Sequence, residues 1–412
     1  MNQFNELSLS SALKNSLAFH GFVQPTAVQA QAIPPALAGR DVIATAQTGT
    51  GKTLAFVLPL LEKLLQDPNG SGVQAVILSP TRELAIQIHE TFVKLASNTT
   101  IKAAVVVGGM NEQNQLRQIR GGARVLIATP GRLVDFLDRK LVKLAKVNTV
   151  VLDEADRMLD MGFLPVIRRI LGETPQSRQT MFFSATIETS VAKLIDTYLT
   201  NPVRIALGPT TKVADNVTLR LFEVDQDRKL TLLADMIASE TGTFLVFART
   251  KHGTDKLAKS LSALGIKSAR IHGNRTQSQR NEALKGFQAG AYKVLVATDV
   301  AARGIHVNGI GHVVNFDLPQ VPEDFLHRVG RTARAGGSGT ASTFATRQQR
   351  SEIRNIERSL NITLTRVDVP AAVLDQKIVT PKVVVLAAPS RGRSSAGSTP
   401  RGGTWKAKRA AR

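Results

Sequence analysis

Short β-branched runs alternate with stretches of helical periodicity across residues 40–345, the signature of stacked strand-helix-strand units around parallel sheets. Residues 41–46, 73–79, 103–107, 125–129, 149–152 and 181–183 read as buried strands. Between the first two, Leu54, Val57, Leu58, Leu61, Leu64 and Leu65 fall at helical spacing, so the loop at 46–53 joins a strand to a helix. The rhythm lapses at Gly208-Pro209-Thr210-Thr211-Lys212, punctuation that suits a linker over 209–217. It then restarts: 219–224, 244–247, 268–271, 293–297 and 312–315 give a second set of strands, with helices expected over 251–264 and 277–287. The expected architecture is α/β, with two tandem parallel-sheet domains at 1–208 and 218–368 and a disordered basic tail at 369–412.

Composition adds a partner to this picture. With 412 residues and 43% apolar content the chain can bury two genuine cores. Its 53 Lys and Arg against 32 Asp and Glu leave a formal charge of +21, which makes a polyanion such as nucleic acid the leading partner. Nine of the cations and none of the acids lie in residues 377–412, where Arg, Gly, Ser, Ala and Lys dominate and cannot offset the entropy of ordering. The absence of cysteine excludes disulfides, Cys-based zinc sites and thiol nucleophiles. Met1 to Gly21 lacks a basic start followed by a long apolar stretch, and no apolar run approaches the roughly 18 residues that span a bilayer, so a soluble cytoplasmic protein without a membrane partner is expected.

Three motifs carry chemistry. Ala46-Gln47-Thr48-Gly49-Thr50-Gly51-Lys52-Thr53 nearly fits the phosphate-loop pattern, with Ala46 where a first glycine usually stands. Its glycines let backbone N–H groups turn around phosphate oxygens, Lys52 supplies a mobile cation, and the Thr53 hydroxyl can ligate Mg²⁺. The apolar run Val150-Val151-Leu152 ends in Asp153-Glu154-Ala155-Asp156, at the carboxyl end of a strand where ligands of open α/β sheets bind. There Asp153 is the natural Mg²⁺ partner and Glu154 the group that orients or deprotonates attacking water. In His327-Arg328-Val329-Gly330-Arg331-Thr332-Ala333-Arg334 the arginines recur every three residues and would share one helix face. Alone they read as surface charge; beside a phosphate-binding domain they fit arginine fingers.

These motifs, together and in order over roughly residues 4–365, resemble those of DEAD-box RNA helicases, with most similarity to the bacterial RhlE-like subgroup. The resemblance implies RecA-like domains, ATP and Mg²⁺ as cofactors and RNA as partner. It also implies an adenine-reading motif at Gly21-Phe22-Val23-Gln24-Pro25-Thr26-Ala27-Val28-Gln29, in which Gln29 hydrogen-bonds the adenine and Phe4 stacks on it, with Gln24 beside them. Counterparts of the RNA-contacting segments are Pro80, Thr81 and Arg82; Gly108 and Gly109; Thr129, Gly131 and Arg132; Arg249; Gly273, Gln277 and Arg280; and Thr298 and Asp299. Asp156, Ser184, Thr186, His327 and Arg328 correspond to the groups that couple the nucleotide site to strand separation, and Arg331 and Arg334 to those that stabilise the transferring phosphate. Two departures stand out: His306 replaces the usual Asp, and Ala333 replaces a Gly, the second expected to be a packing change. The implied activity is local, ATP-driven opening of RNA duplexes with little sequence preference; the rival reading is an ATP-gated RNA clamp or annealing scaffold, and a third is a DNA helicase of the same superfamily. Ribosome-assembly or RNA-decay proteins would suit such an enzyme as partners.

Overall fold

The computed structural model describes residues 3–46, 50–187, 189–207, 216–302, 307, 309–333 and 337–375. Gln47, Thr48, Gly49, His306, Arg334, the linker residues 208–215 and the segment 376–412 lie outside the described residues.

Strands β1 (Val42–Thr45), β2 (Ala75–Leu78), β3 (Lys102–Val106), β4 (Ala123–Ala128), β5 (Thr149–Leu152), β6 (Gln179–Ser184) and β7 (Val203–Ala206) form a parallel sheet in the order β3-β4-β2-β5-β6-β1-β7. Strands β8 (Val217–Glu223), β9 (Thr243–Phe247), β10 (Ser268–Ile271), β11 (Val294–Ala297), β12 (Ile310–Asn315), β13 (Gly339–Ala345) and β14 (Thr365–Arg366) form a second, in the order β10-β11-β9-β12-β13-β8-β14. Adding seven to each strand number of the first order gives the second, so both sheets share one topology. Strand alternation sends side chains to two cores in each domain. Ala75 and Ile77 pack with Phe56 and Phe183 on one face of the first sheet, while Val76 and Leu78 pack with Phe136 and Phe182 on the other. Helices cover both faces, which is why the central strands read as unbroken apolar runs.

Three strands escape the hydrophobic pattern. β7 is a partly exposed edge, β14 is two residues long, and β13 is Gly-Thr-Ala-Ser-Thr-Phe-Ala, whose small polar residues imitate a loop. Yet β13 is interior, paired on both sides by β8 and β12, and the buried Thr343 hydroxyl accepts a hydrogen bond from Asn315 Nδ2 at 3.1 Å. The described structure also continues past residue 369, the expected start of the tail. A short helix, Ala371–Asp375, buries Val373 completely, and the Val373 carbonyl accepts from Arg228 Nη1 at 2.7 Å. One inward valine and one hydrogen bond are too little periodicity to read from sequence.

The edge strand β3 is blunted by glutamines of the helix Glu112–Arg120. Gln118 Oε1 accepts from Val105 N at 3.3 Å, and Gln115 both accepts from Val107 N and donates to Val107 O. Pairing positions that a foreign strand would seek are thereby occupied. Among the described residues, no helix is long and apolar enough to cross a membrane.

Candidate nucleotide and nucleic-acid site

Gly51, at φ 88, caps the helix Lys52–Leu65. A Cβ there would lie 2.4 Å from Gln29 Nε2 and would sit on a left-handed backbone, so any other residue would be strained and would displace the Gln29 amide. Gln29 is buried, accepts from Thr26 N at 2.8 Å and donates to Gly51 O at 2.9 Å, which ties the adenine motif to the phosphate loop. Thr26 adds a bond from its hydroxyl to Thr50 O at 2.7 Å. Phe4 is a core residue, 3% exposed among Leu13, Leu17 and Val28, whereas Gln24 is exposed. Lys52 is buried and donates to Ala46 O at 2.9 Å; Thr53 follows it on the same first turn.

The strand β5 delivers the acidic group. Asp153 and Glu154 are 3% and 5% exposed, and Glu154 takes left-handed backbone angles, φ 49 and ψ 51, as its N–H donates to Asp153 Oδ1 at 3.1 Å. Burial pushes the Asp153 carboxyl up to about 7, with Lys52 opposing the rise and Glu154 and Asp156 adding to it. Asp156 turns away to the end of β6: its Oδ2 accepts from Ala185 N at 2.9 Å, Thr186 N at 3.0 Å and Thr186 Oγ1 at 3.3 Å. Ser184 Oγ accepts from Asp156 N and donates to Thr186 O, closing the loop between the two segments.

A carboxyl with a folded pKa above its unfolded value takes up a proton on folding, so ionising it costs stability as pH rises from 3.8 towards about 7. The nucleotide-free protein should therefore lose melting temperature progressively between about pH 4 and about pH 7, the loss levelling off above that, with a smaller loss in Asp153→Asn. An identical pH slope in the two proteins would place the titration elsewhere.

The arginine motif departs from expectation. Its helix, Pro322–Val329, ends at Gly330, so Arg328 and Arg331 do not share a helix face, and Arg334 lies outside the described residues. Arg328, 2% exposed, is fully engaged inside the second domain. It binds Asp299 bidentately at 2.6 and 2.8 Å, donates to Asn315 Oδ1 and Asp317 O, and lies over the Phe247 ring. It is therefore an organiser of the loops, not a finger. Arg331, beyond the helix end, donates to His327 O at 3.2 Å and lines a small interdomain cavity with His327, Asp299 and Arg157. Ala333 stands at φ 53, so the exchange for glycine is a matter of backbone conformation, not packing.

A groove of about 480 Å³ crosses the two domains. Pro80, Thr81, Arg82, Gly108, Thr129, Gly131 and Arg132 line it from the first, Gly273 and Arg280 from the second. Gly109, at φ 75, lies beneath the Arg82 guanidinium, where a Cβ would collide with it. Thr81 caps the helix Arg82–Leu95 by accepting from Leu84 N, and Arg249, exposed, is held through its N–H to Asp317 Oδ2 at 2.9 Å. Thr298 is buried at the end of β11. Several expected RNA ligands already have protein partners. Arg132 binds Glu112 at 2.8 Å and Asp135 at 2.5 Å. Gln277 and Arg280, both buried, bind Glu83 across the cleft at 3.0 and 2.8 Å, and Asp299 holds Arg328. Glu83, of the same segment as Pro80 to Arg82, also lines the groove, as do Asp135, Met161 and Phe163, which no motif above singles out.

The profile of the DEAD/DEAH box helicase family matches residues 26–194, and that of the helicase conserved C-terminal domain matches residues 228–336. The DEAD-box ATP-dependent RNA helicase CshA of Bacillus cereus strain ATCC 10987 is 41% identical over 373 residues, 90% of this chain and 70% of the relative. The chain belongs to the DEAD-box family of ATP-dependent RNA helicases. CshA of Bacillus subtilis strain 168 is likewise 41% identical, over 89% of this chain and 74% of its own. Among solved DEAD-box structures, S. cerevisiae Dbp5 bound to RNA and ADP BeF3 superposes with a TM-score of 0.82 at 30% identity, covering 90% of this chain and 97% of that one. Mss116 bound to ssRNA and UDP-BeF gives 0.82 at 27% identity, covering 89% and 79%. The two RecA-like domains of this DEAD-box chain thus stand to one another much as they do in RNA-bound and nucleotide-bound relatives.

Proposed function

We propose that this DEAD-box protein binds ATP in the cleft between its domains, hydrolyses it when RNA occupies the adjoining groove, and opens short RNA duplexes locally with little sequence specificity. The observation that carries this is a buried Lys52, Asp153 and Glu154 within electrostatic reach of one another in the first domain, with Arg331 of the second lining one cavity with Arg157, three residues beyond Glu154, beside a groove lined by both domains. Lys52 and the loop amides hold the phosphates, and Glu154 orients water and takes its proton as it attacks the γ-phosphate. Arg331, with Arg334, offsets charge on the transferring phosphate. Asp156 reports nucleotide to Ser184 and Thr186, and Gln29 reads adenine through its amide.

The donors present fit Mg²⁺: oxygen ligands only, with a carboxylate whose ionised form burial disfavours and a bound cation would favour. Asp153 and the Thr53 hydroxyl would hold the ion with the phosphates, and it would supply charge neutralisation on their oxygens. Low specificity follows from recognition through backbone and hydroxyl, since duplex RNA hides its base edges in a deep narrow groove. The RhlE-like placement, a cytoplasmic location, partners among ribosome-assembly or RNA-decay proteins, and a linker at 209–217 between units 1–208 and 218–368 belong to the same proposal. The placement rests on motif sequence, while the relatives above carry the name CshA.

The test compares ATPase stimulation by single-stranded RNA and DNA of one sequence, with displacement of a short RNA duplex. RNA should stimulate, DNA should not, and displacement should require ATP. Equal stimulation by DNA would overturn the RNA assignment, and RNA binding without turnover would favour a clamp.

Residues 377–412 enter as a phosphate tether. Deleting their nine cations should reduce the slope of log affinity against log salt by up to about 6, while turnover at saturating RNA persists. Trp405 is the only tryptophan, so its fluorescence follows this segment in a direct titration. An unchanged slope with a silent Trp405 would leave the segment a solubility element.

A further inference from the structure

The residue after the acidic motif makes a contact that no motif accounts for. Arg157 is 2% exposed at the start of the helix Ala155–Asp160, and its Nη1 binds Asp324 of the second domain at 2.5 Å. Asp324 is itself 7% exposed and lies on the first turn of the helix Pro322–Val329, whose far end carries His327 and Arg328 and leads into Arg331. The same Nη1 lies 3.6 Å from Asp160, a half-exposed carboxylate one turn along its own helix. Both partners of the cross-domain pair line the cavity that also contains His327 and Arg331.

From this geometry we propose that Arg157 and Asp324 form an interdomain latch, a pair of positioning residues that sets how readily the cleft closes on RNA and ATP. The inference rests on the RNA-dependent ATPase function above and adds to it the contact that governs closure. Arg157 is one residue from Asp156, whose carboxylate is bound to the Ala185 and Thr186 amides. Asp324 is three residues from His327. The pair therefore pins the segment that carries Glu154 to the segment that carries Arg331, fixing their relative placement. When the domains separate, Asp324 leaves and Asp160 remains within reach of the guanidinium, so Arg157 exchanges one carboxylate for another and is not stranded. The two acids thus compete: Asp324 favours the closed arrangement, Asp160 the open one.

That competition predicts effects of opposite sign. Because the chain has no cysteine, dyes can be placed specifically on Lys143→Cys and Lys259→Cys, exposed positions of the first and second domains, in the full-length protein. Closure is then read by energy transfer as single-stranded RNA is added with a non-hydrolysable ATP analogue. Asp324→Asn should raise the RNA concentration for half-closure by roughly 10- to 100-fold, since one partner of a buried pair is lost. Asp324→Glu should recover most of it, and Asp160→Asn should lower the half-closure concentration by up to about fivefold. Analogue binding without RNA and melting temperature should hold in all three.

Closure in Asp324→Asn at the wild-type RNA concentration would overturn the latch. So would a loss that Asp324→Glu does not recover, or one accompanied by a fall in melting temperature, since both mark a purely structural role. An Asp160→Asn variant that closes less readily would overturn the competition. Failure of the wild-type protein to close would instead count against the function proposed above.

Discussion

Glu154→Gln lowers RNA-stimulated ATP hydrolysis by roughly 10²- to 10⁴-fold and leaves ATP and RNA binding in place. The exchange keeps the side-chain volume and an oxygen acceptor but removes the basic carboxylate. Asp153, Lys52 and Thr53, the groups proposed to hold phosphate and ion, are untouched. The left-handed turn at residue 154 depends on backbone bonds at Glu154 N and O, which the substitution preserves. Binding and turnover should therefore separate cleanly, and single-turnover measurements at saturating RNA would show the loss in the chemical step. Turnover within a few-fold of wild type would dismiss Glu154 as base. Loss of ATP affinity would make it a structural residue.

Arg328→Ala should destabilise the second domain by about 3–5 kcal/mol, the cost of leaving a buried charge without its partner. The guanidinium holds both oxygens of Asp299, the Asn315 side chain and the Asp317 carbonyl, and so joins the ends of β11 and β12 to the arginine helix. Its removal takes away all four bonds and the contact with Phe247. Urea unfolding should show an earlier transition for the second domain while the first domain's transition stays in place. A shift under about 1 kcal/mol would mean that solvent replaces the guanidinium without penalty.

The candidate site was legible wherever chemistry followed a strand. Asp153 stands immediately beyond one apolar run and Lys52 a short loop beyond another, and the carboxyl ends of parallel strands share one edge of a doubly wound sheet, so both are expected on that edge. What could not be read was how the remaining polar groups are shared. Gln277 finds Glu83 from 194 residues away, and Arg157 finds Asp324 from 167, partnerships that no local pattern encodes. The periodicity of Arg328 and Arg331 misled because Gly330 ends the helix between them. In β13, hydrogen bonds to two neighbours make a strand from residues with little hydrophobic signal.

The backbone at Glu154 has a bearing on how this enzyme could be engineered. A side chain held at φ 49 costs roughly 1–2 kcal/mol that glycine would recover, and this chain bears that cost at the residue assigned to activate water. Ranking variants by melting temperature alone would consequently reward Glu154→Gly, and a campaign for a hardier protein would enrich one that no longer turns over. Thermal selection needs an activity gate from its first round.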